Sequence, residues 1–385
     1  MSSTSNKRIA LSEPSLVGNV RSYLEECVAT NFVSSVGPFV ERFERAFADF
    51  VGSRYAVACA TGTAAIHVAL RLLDVTPEDE IFVPTLTFIA SANPIAYERA
   101  QPVFVDSERQ TFNLNPVSVV AEIERRASAG ERMPRAVEVV HLLGHPANIE
   151  PIVDVCARHG IPVIEDAAEA LGATYTEGRF AGKQVGSIGL LGCFSFNGNK
   201  ILTCGGGGMI TTDDEKLARR AKHLTTQARL PGAEYRHDEV GYNYRMTNVA
   251  AAIGLAQLEC MPDFLARKRA IAARYDAALA NHPVLMPAVH ASWAHPSFWL
   301  YSVMARTGGK ATRDRILANL AEVGIEARPI WSPLHTMPMY EKAARLSDGS
   351  VAESLAASSF SLPCSVGLSD EDQERVIAVL KKELT

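Results

Sequence analysis

Between residues 55 and 214 the chain keeps one rhythm, a short β-branched run followed by a longer amphipathic stretch. The runs are YAVACA (55–60), EIFVPTLTF (80–88), QPVFVD (101–106), AVEVVHLLG (136–144), IPVIEDAA (161–168) and LGCFSF (191–196). GMITTDD (208–214) reads as a return strand. TGTAAIHVALRLL, IASANPIAYERA and PIVDVCARHG, the last closed by Gly160, read as helices between them. Strands joined by crossover helices build a parallel or mixed sheet with helices on its faces. This fixes the fold class as α/β.

After about residue 245 the pattern changes. NVAAAIGLAQLECMPDFLARKRAIAARYDAAL reads as one long helix. SFWLYSVMA (297–305) and IEARPIW (325–331) read as strands, with RDRILANLAEVG as a helix between them. The closing SDEDQERVIAVLKKEL has Ser369 at its cap, acids in its first turn and lysines in its last, which suits the helix dipole. The expected division is a large domain over 1–245 and a smaller α+β domain over 246–385. The first 30 or so residues are expected to pack on the smaller one.

Composition narrows the class. The 385 residues are 47% hydrophobic and 21% charged, with a formal net charge of -5. There is no basic excess for a nucleic-acid partner and no apolar run of membrane-span length. The start, MSSTSNKRIALSEP, has no apolar core of a secretory signal. The seven cysteines (27, 59, 156, 193, 204, 260 and 364) form no CxxC pair, so neither a disulfide framework nor a metal site is expected. These features describe a reduced, cytoplasmic enzyme.

Four stretches can carry chemistry. FSFNGNKILTCGGGG (194–208) sets Lys200 beside aromatic residues and a glycine run. A buried lysine tends to lose its proton, and a neutral amine attacks carbonyls; glycines let a bulky group approach the backbone. VIEDAAEALGA (163–173) puts Asp166 at the carboxyl end of a strand, where open α/β sheets bind ligands. Asp166 could hold a proton on a heterocyclic nitrogen, or simply cap a helix over the residues that follow. ATGTAAIHVAL (60–70) places Gly62 and Thr63 where a strand turns into a helix, an anion cradle or an ordinary small-residue turn. Phe88, in PTLTFIASANPI, could stack on a flat ring or belong to the core.

Taken in order, TGTAA, PTLTF, EDAAEALGA, FSFNGNK with its glycine run, and GYNYRMTNVAAAIGLAQLE resemble the DegT/DnrJ/EryC1/StrS family over roughly residues 10–380. The resemblance implies the type I aminotransferase fold, pyridoxal 5'-phosphate as cofactor (pyridoxamine 5'-phosphate between half reactions) and a homodimer with shared sites. It implies Lys200 as the Schiff-base lysine, Asp166 as partner of the pyridine nitrogen and Phe88 as the ring's stacking partner. Gly62, Thr63 and Ser195 would hold the phosphate, with Asn243 reaching it from the other subunit. Glu169 stands where glutamine or histidine is frequent, near the ring hydroxyl. Asn197 stands where histidine is frequent, and Gly206 or Gly207 where glutamate is.

FSFNGNK, GGGG, VGPFVERFE and HDEVGYNYRM are similar to the LegC/PglE-type branch. That branch implies amination, with L-glutamate, of UDP-2-acetamido-2,6-dideoxy-α-D-xylo-4-hexulose, giving UDP-4-amino-4,6-dideoxy-N-acetyl-α-D-glucosamine for bacillosamine or legionaminic acid. The alternatives are a dTDP- or GDP-linked ketosugar aminated at C3 or C4, and a non-catalytic regulator that binds the cofactor. His335 and Tyr340, in LHTMPMY, and the SVGPF stretch (35–39) are candidate substrate contacts by the same resemblance. Arg245 and Arg328 are candidates for a diphosphate, since arginine binds phosphate in bidentate fashion. Relatives that dehydrate the sugar carry histidine where this chain has Lys200, which argues against that chemistry here.

Overall fold

A computed structural model describes residues 8–288 and 290–382. The polar start at 1–7 and the tail at 383–385 lie outside the described residues. Eight strands cover the first part: β1 (Tyr55–Cys59), β2 (Glu80–Pro84), β3 (Gln101–Val105), β4 (Ala136–Val140), β5 (Val163–Asp166), β6 (Thr174–Tyr175), β7 (Leu191–Ser195) and β8 (Gly208–Thr212). Six follow: β9 (Leu285–Pro287), β10 (Ala294–His295), β11 (Tyr301–Ala305), β12 (Arg328–Pro329), β13 (Ala344–Arg345) and β14 (Ser359–Leu362).

The large sheet runs β1-β8-β7-β5-β4-β2-β3-β13. Only β8 runs against its neighbours; every other pairing in this sheet is parallel. All five residues of β4 and all four of β5 are buried, as sheets covered on both faces require. Helix Gly62–Leu72 covers one face. Helix Pro38–Val51 starts with proline in its first turn and ends at left-handed Gly52. It brings Phe43 and Phe47 against Phe194 and Phe196, with ring centroids 5.0–5.3 Å apart. A second core, including Tyr275, Tyr301, Val303, Leu320 and Phe360, surrounds the four-stranded sheet β12-β14-β11-β9.

Several expected elements are shorter or broken. The long helix after residue 247 is two, Asn248–Glu259 and Met261–Leu279, bent by 62°. Pro262 lies in the first turn of the second, and its ring cannot sit within one continuous helix. IASANPIAYERA gives a single 3-10 turn, Ile89–Ser91, and a five-residue helix, Asn93–Tyr97, with Pro94 inside it. Of IEARPIW only Arg328–Pro329 joins a ladder. Helix Asn248–Glu259 packs on helices Val20–Ala29 and Pro38–Val51, while Ile9 bridges to Ile325 and Arg8 pairs with Glu326 at 3.1 Å. Among the described residues no single helix is long and apolar enough to cross a membrane.

One buried carboxyl in the sheet has no hydrogen-bond partner among the described residues. Glu138, in β4, pairs across the ladder with Ile164 and is fully buried. Neither of its carboxyl oxygens has a hydrogen-bond partner. Burial, reinforced by the Asp166 charge, pushes its carboxyl well above the usual 4.5, so the folded protein keeps it protonated. Above pH 4.5 the unfolded chain ionises here and the folded one does not, so stability is lost as pH rises. Glu138→Met is expected to stabilise the fold by about 1–3 kcal/mol at neutral pH. The gain should shrink toward pH 4.5, as denaturant titrations at several pH values would read.

Candidate active site

The carboxyl ends of the parallel strands deliver the candidate residues to one edge. β1 leads into Thr61 and Gly62, β2 into Phe88, β5 ends at Asp166 and β7 at Ser195. β8, running the other way, begins at the same edge with Gly208 opposite Cys59. A cavity of about 390 Å³ opens there. Its lining includes Gly62, Thr63, Phe88, Asp166, Glu169, Ser195 and Lys200.

At one end is the anion cradle. Thr61 caps helix Gly62–Leu72, its hydroxyl accepting from the Ala64 N–H at 3.0 Å. The turns around it are packed so closely that side chains are excluded. A Cβ on Gly62 would lie 2.6 Å from Ser195 Cβ, and one on Gly208 would lie 2.3 Å from the Thr61 carbonyl oxygen. Free helix N–H groups and the Ser195 hydroxyl can therefore receive a phosphate. Of the glycine run, Gly205 adopts a left-handed turn and Gly208 allows this close approach.

Across the cavity Asp166 is buried and caps no helix, since residues 167–173 form turns. It accepts from Ser91 Oγ at 2.8 Å and from the Ala168 N–H at 3.1 Å. Burial pushes its carboxyl up, and these hydrogen bonds and the nearby Lys200 pull it back. A pyridinium nitrogen would add the opposite charge that favours the ionised form. Glu165, its neighbour, is likewise buried, and burial alone would push its carboxyl up. Hydrogen bonds from His141 (2.9 Å) and from the Gly186, Ile188 and Gly189 N–H groups hold it lower. This anchors the end of β5 and with it Asp166.

Lys200 Nζ lies 3.7 Å from Glu169 Oε1 and 3.8 Å from the centre of the Trp299 ring. Burial lowers the pKa of the amine, against the charges of Glu169 and Asp166. Glu169 is pushed up to about 7 by burial, partly offset by Lys200 and by the Leu143 N–H, which donates at 2.8 Å. Phe88 is 51% exposed and lines the cavity, so it is not a core residue. Asn197 lines the wall too, with Gly206 and Gly207.

Other candidates sit elsewhere. His335 is buried between Thr85 Oγ1 (2.6 Å) and Glu353 (3.0 Å), and Tyr340 donates to Asn93 Oδ1 at 2.9 Å against the Phe104 ring. Neither lines this chain's cavity; their polar atoms join the sheet to the C-terminal segment. Arg328 lines the cavity and also pairs with Glu326. Arg245 and Asn243 are exposed and do not line this chain's cavity; Arg245 faces a shallow depression with Arg229, Tyr235 and His237. The SVGPF stretch is also absent from the lining, and Asn248 fixes its end by accepting from the Phe39 N–H at 2.9 Å. Sequence reasoning missed Ser91, Trp299 and Trp331, although Ser91 lies one helical turn after Phe88.

A largely buried lysine, a buried carboxyl, an exposed aromatic and a strand-to-helix anion cradle share one cavity on a type I aminotransferase fold, an arrangement suited to a pyridoxal-phosphate transaminase. The model of the DegT/DnrJ/EryC1/StrS aminotransferase family matches residues 14–381, and the chain belongs to that family. It is similar to a GDP-perosamine synthase of Caulobacter vibrioides, 44% identical with 98% of each chain covered. It is also similar to the pyridoxal-phosphate-dependent aminotransferase EpsN of Bacillus subtilis, 42% identical over 97% of this chain and 95% of that one. The aminotransferase TlmJ of Streptoalloteichus hindustanus superimposes with a TM-score of 0.88 at 29% identity, covering 98% and 99% of the two chains. A sugar aminotransferase of Streptococcus pneumoniae in its PMP form gives 0.90 at 25%, covering 98% of each. The protein is a pyridoxal-phosphate-dependent aminotransferase.

Two substitutions test this geometry. Gly208→Ala drives a methyl group into the Thr61 backbone, and cofactor affinity should fall about tenfold or more in a pyridoxal phosphate titration. Glu169→Gln removes a group that titrates at about 7, and the pH profile of turnover should lose its inflection there.

Proposed function

We propose that the enzyme aminates a nucleotide-linked 4-keto-6-deoxy sugar at C4, with L-glutamate as donor, and that the sugar is carried on guanosine diphosphate. The observation that carries the reaction is Lys200, held in one cavity with Asp166, Glu169 and the Thr61–Thr63 cradle. What supports the guanosine carrier is the 44% and 40% identity to GDP-perosamine synthases of two bacteria. The FSFNGNK and GGGG stretches support a second reading, the UDP-linked 2-acetamido sugar.

Bound pyridoxal phosphate supplies an electron sink for the carbanion formed at the donor's Cα. The chain's residues do the rest. Gly62, Thr63 and Ser195 would hold the phosphate, Asp166 would keep the ring nitrogen protonated and Phe88 would stack on the ring. Lys200 Nζ, neutral when it acts, takes the proton from the donor's Cα. In the second half reaction it delivers a proton to the sugar carbon that gains the amine. Glu169, 3.7 Å from the Lys200 amine, accepts a proton from its ammonium form and gives it back. Arg328, at the cavity wall, is the cation offered to an anionic substrate group.

Asn243 and Arg245, exposed and outside this cavity, are proposed to complete the neighbouring subunit's site in a homodimer. The product is proposed to enter surface polysaccharide synthesis in the cytoplasm, a reading supported by relatives such as the spore coat polysaccharide biosynthesis protein SpsC of Bacillus subtilis, 34% identical.

Enzyme loaded with pyridoxamine phosphate is expected to convert a GDP-linked 4-keto-6-deoxyhexose to its amino sugar while the pyridoxal absorbance appears. Reaction with the UDP-linked 2-acetamido sugar alone would transfer the assignment to the second reading; reaction with neither would overturn both. Lys200→Ala should lose turnover by at least about two orders of magnitude, with the fold intact by circular dichroism.

A further inference from the structure

Lys200 has a partner that the reaction chemistry alone does not require. Its amine lies over the face of Trp299, 3.8 Å from the ring centre. The same indole donates from Nε1 to the carbonyl of Asn199, the residue before Lys200, at 2.7 Å. Ser12 Oγ donates to that carbonyl as well, at 2.9 Å. Trp299 is itself fixed: it is 4% exposed and stacks on Trp331 with centroids 6.0 Å apart and planes 11° from parallel. The backbone beside it is stitched to the far wall, the Ser297 N–H donating to the Gly144 carbonyl at 2.9 Å. Leu143, next in that wall, gives its N–H to Glu169, which faces Lys200. The contacts close a ring from Lys200 through Trp299 and Leu143 to Glu169 and back.

We propose that Trp299 is a positioning residue for Lys200, its indole face holding the ammonium form of the free amine and its N–H fixing the backbone that carries it. An aromatic face attracts a cation, and the attraction is strongest where water is excluded. Burial disfavours the ammonium; the indole face opposes it, together with the carboxyls of Asp166 and Glu169. Arg328 lines the same cavity and is paired with Glu326. Trp299 thus keeps the released amine near its working position and able to carry a proton between the two half reactions. This rests on Lys200 being the cofactor's lysine.

The test is the titration of Lys200 in the full chain loaded with pyridoxamine phosphate, where the amine is free. Trace acetylation across pH, read by mass spectrometry of the Lys200 peptide, gives its apparent pKa. Trp299→Leu should lower that value by about half a unit to one unit, and Trp299→Phe, which keeps a ring face, by clearly less. Values for both variants within about 0.2 of the wild type would overturn the proposal. A measurement on the unaltered indole is independent of how either variant folds. Tryptophan emission of the wild type should change with pH through the Lys200 titration, and Lys200→Met should abolish that change; identical profiles would count against the proposal. Loading with pyridoxal phosphate should protect Lys200 from acetylation. Free labelling there would defeat the functional reading itself, whereas protection with an unshifted titration defeats only the role of Trp299.

Discussion

The desolvation of one amine organises this molecule. Lys200 is largely buried, which favours the neutral amine, yet two carboxyls and an indole face favour the cation. An amine balanced this way can change protonation state during turnover. The balance depends on distances of under 4 Å, and those depend on backbone that cannot drift. The close-packed turns at Gly62 and Gly208, and the bonds that pin the Glu165 carboxyl, serve that rigidity.

The fold supplies the convergence. Parallel strands end at one edge, so residues far apart in sequence meet there without long loops. The single reversed strand, β8, brings the glycine run back to the same edge and lets its backbone lie against Thr61. The smaller sheet contributes a wall rather than the chemistry: Trp299, Arg328 and Trp331 approach Lys200 and Phe88 from that side.

Much of this was legible in the sequence because burial on both faces leaves a clear signature. β4 reads as a strand since four of its five positions are apolar, and β5 because the apolar run Ile161–Ile164 leads into Glu165 and Asp166, which made Asp166 visible as a carboxylate at a strand end. The break at Pro262 was obscured because apolar residues continue through Cys260 in both helices. The contacts of His335 and Tyr340 with Thr85 and Asn93 were not legible, because a polar aromatic looks alike in sequence whether it meets a substrate or a buried side chain. Trp299 was read only as part of a strand, since its contacts with Asn199 and Lys200 arise in tertiary structure and leave no periodic trace. Nothing in the pattern of β4 explains why Glu138 occupies a position that apolar neighbours surround.

The measurement that bears most directly on the central claim is borohydride reduction of the enzyme loaded with pyridoxal phosphate, followed by peptide mapping. The account predicts a phosphopyridoxyl group on Lys200, in stoichiometric yield. Its attachment to another lysine, or to none, would contradict the account.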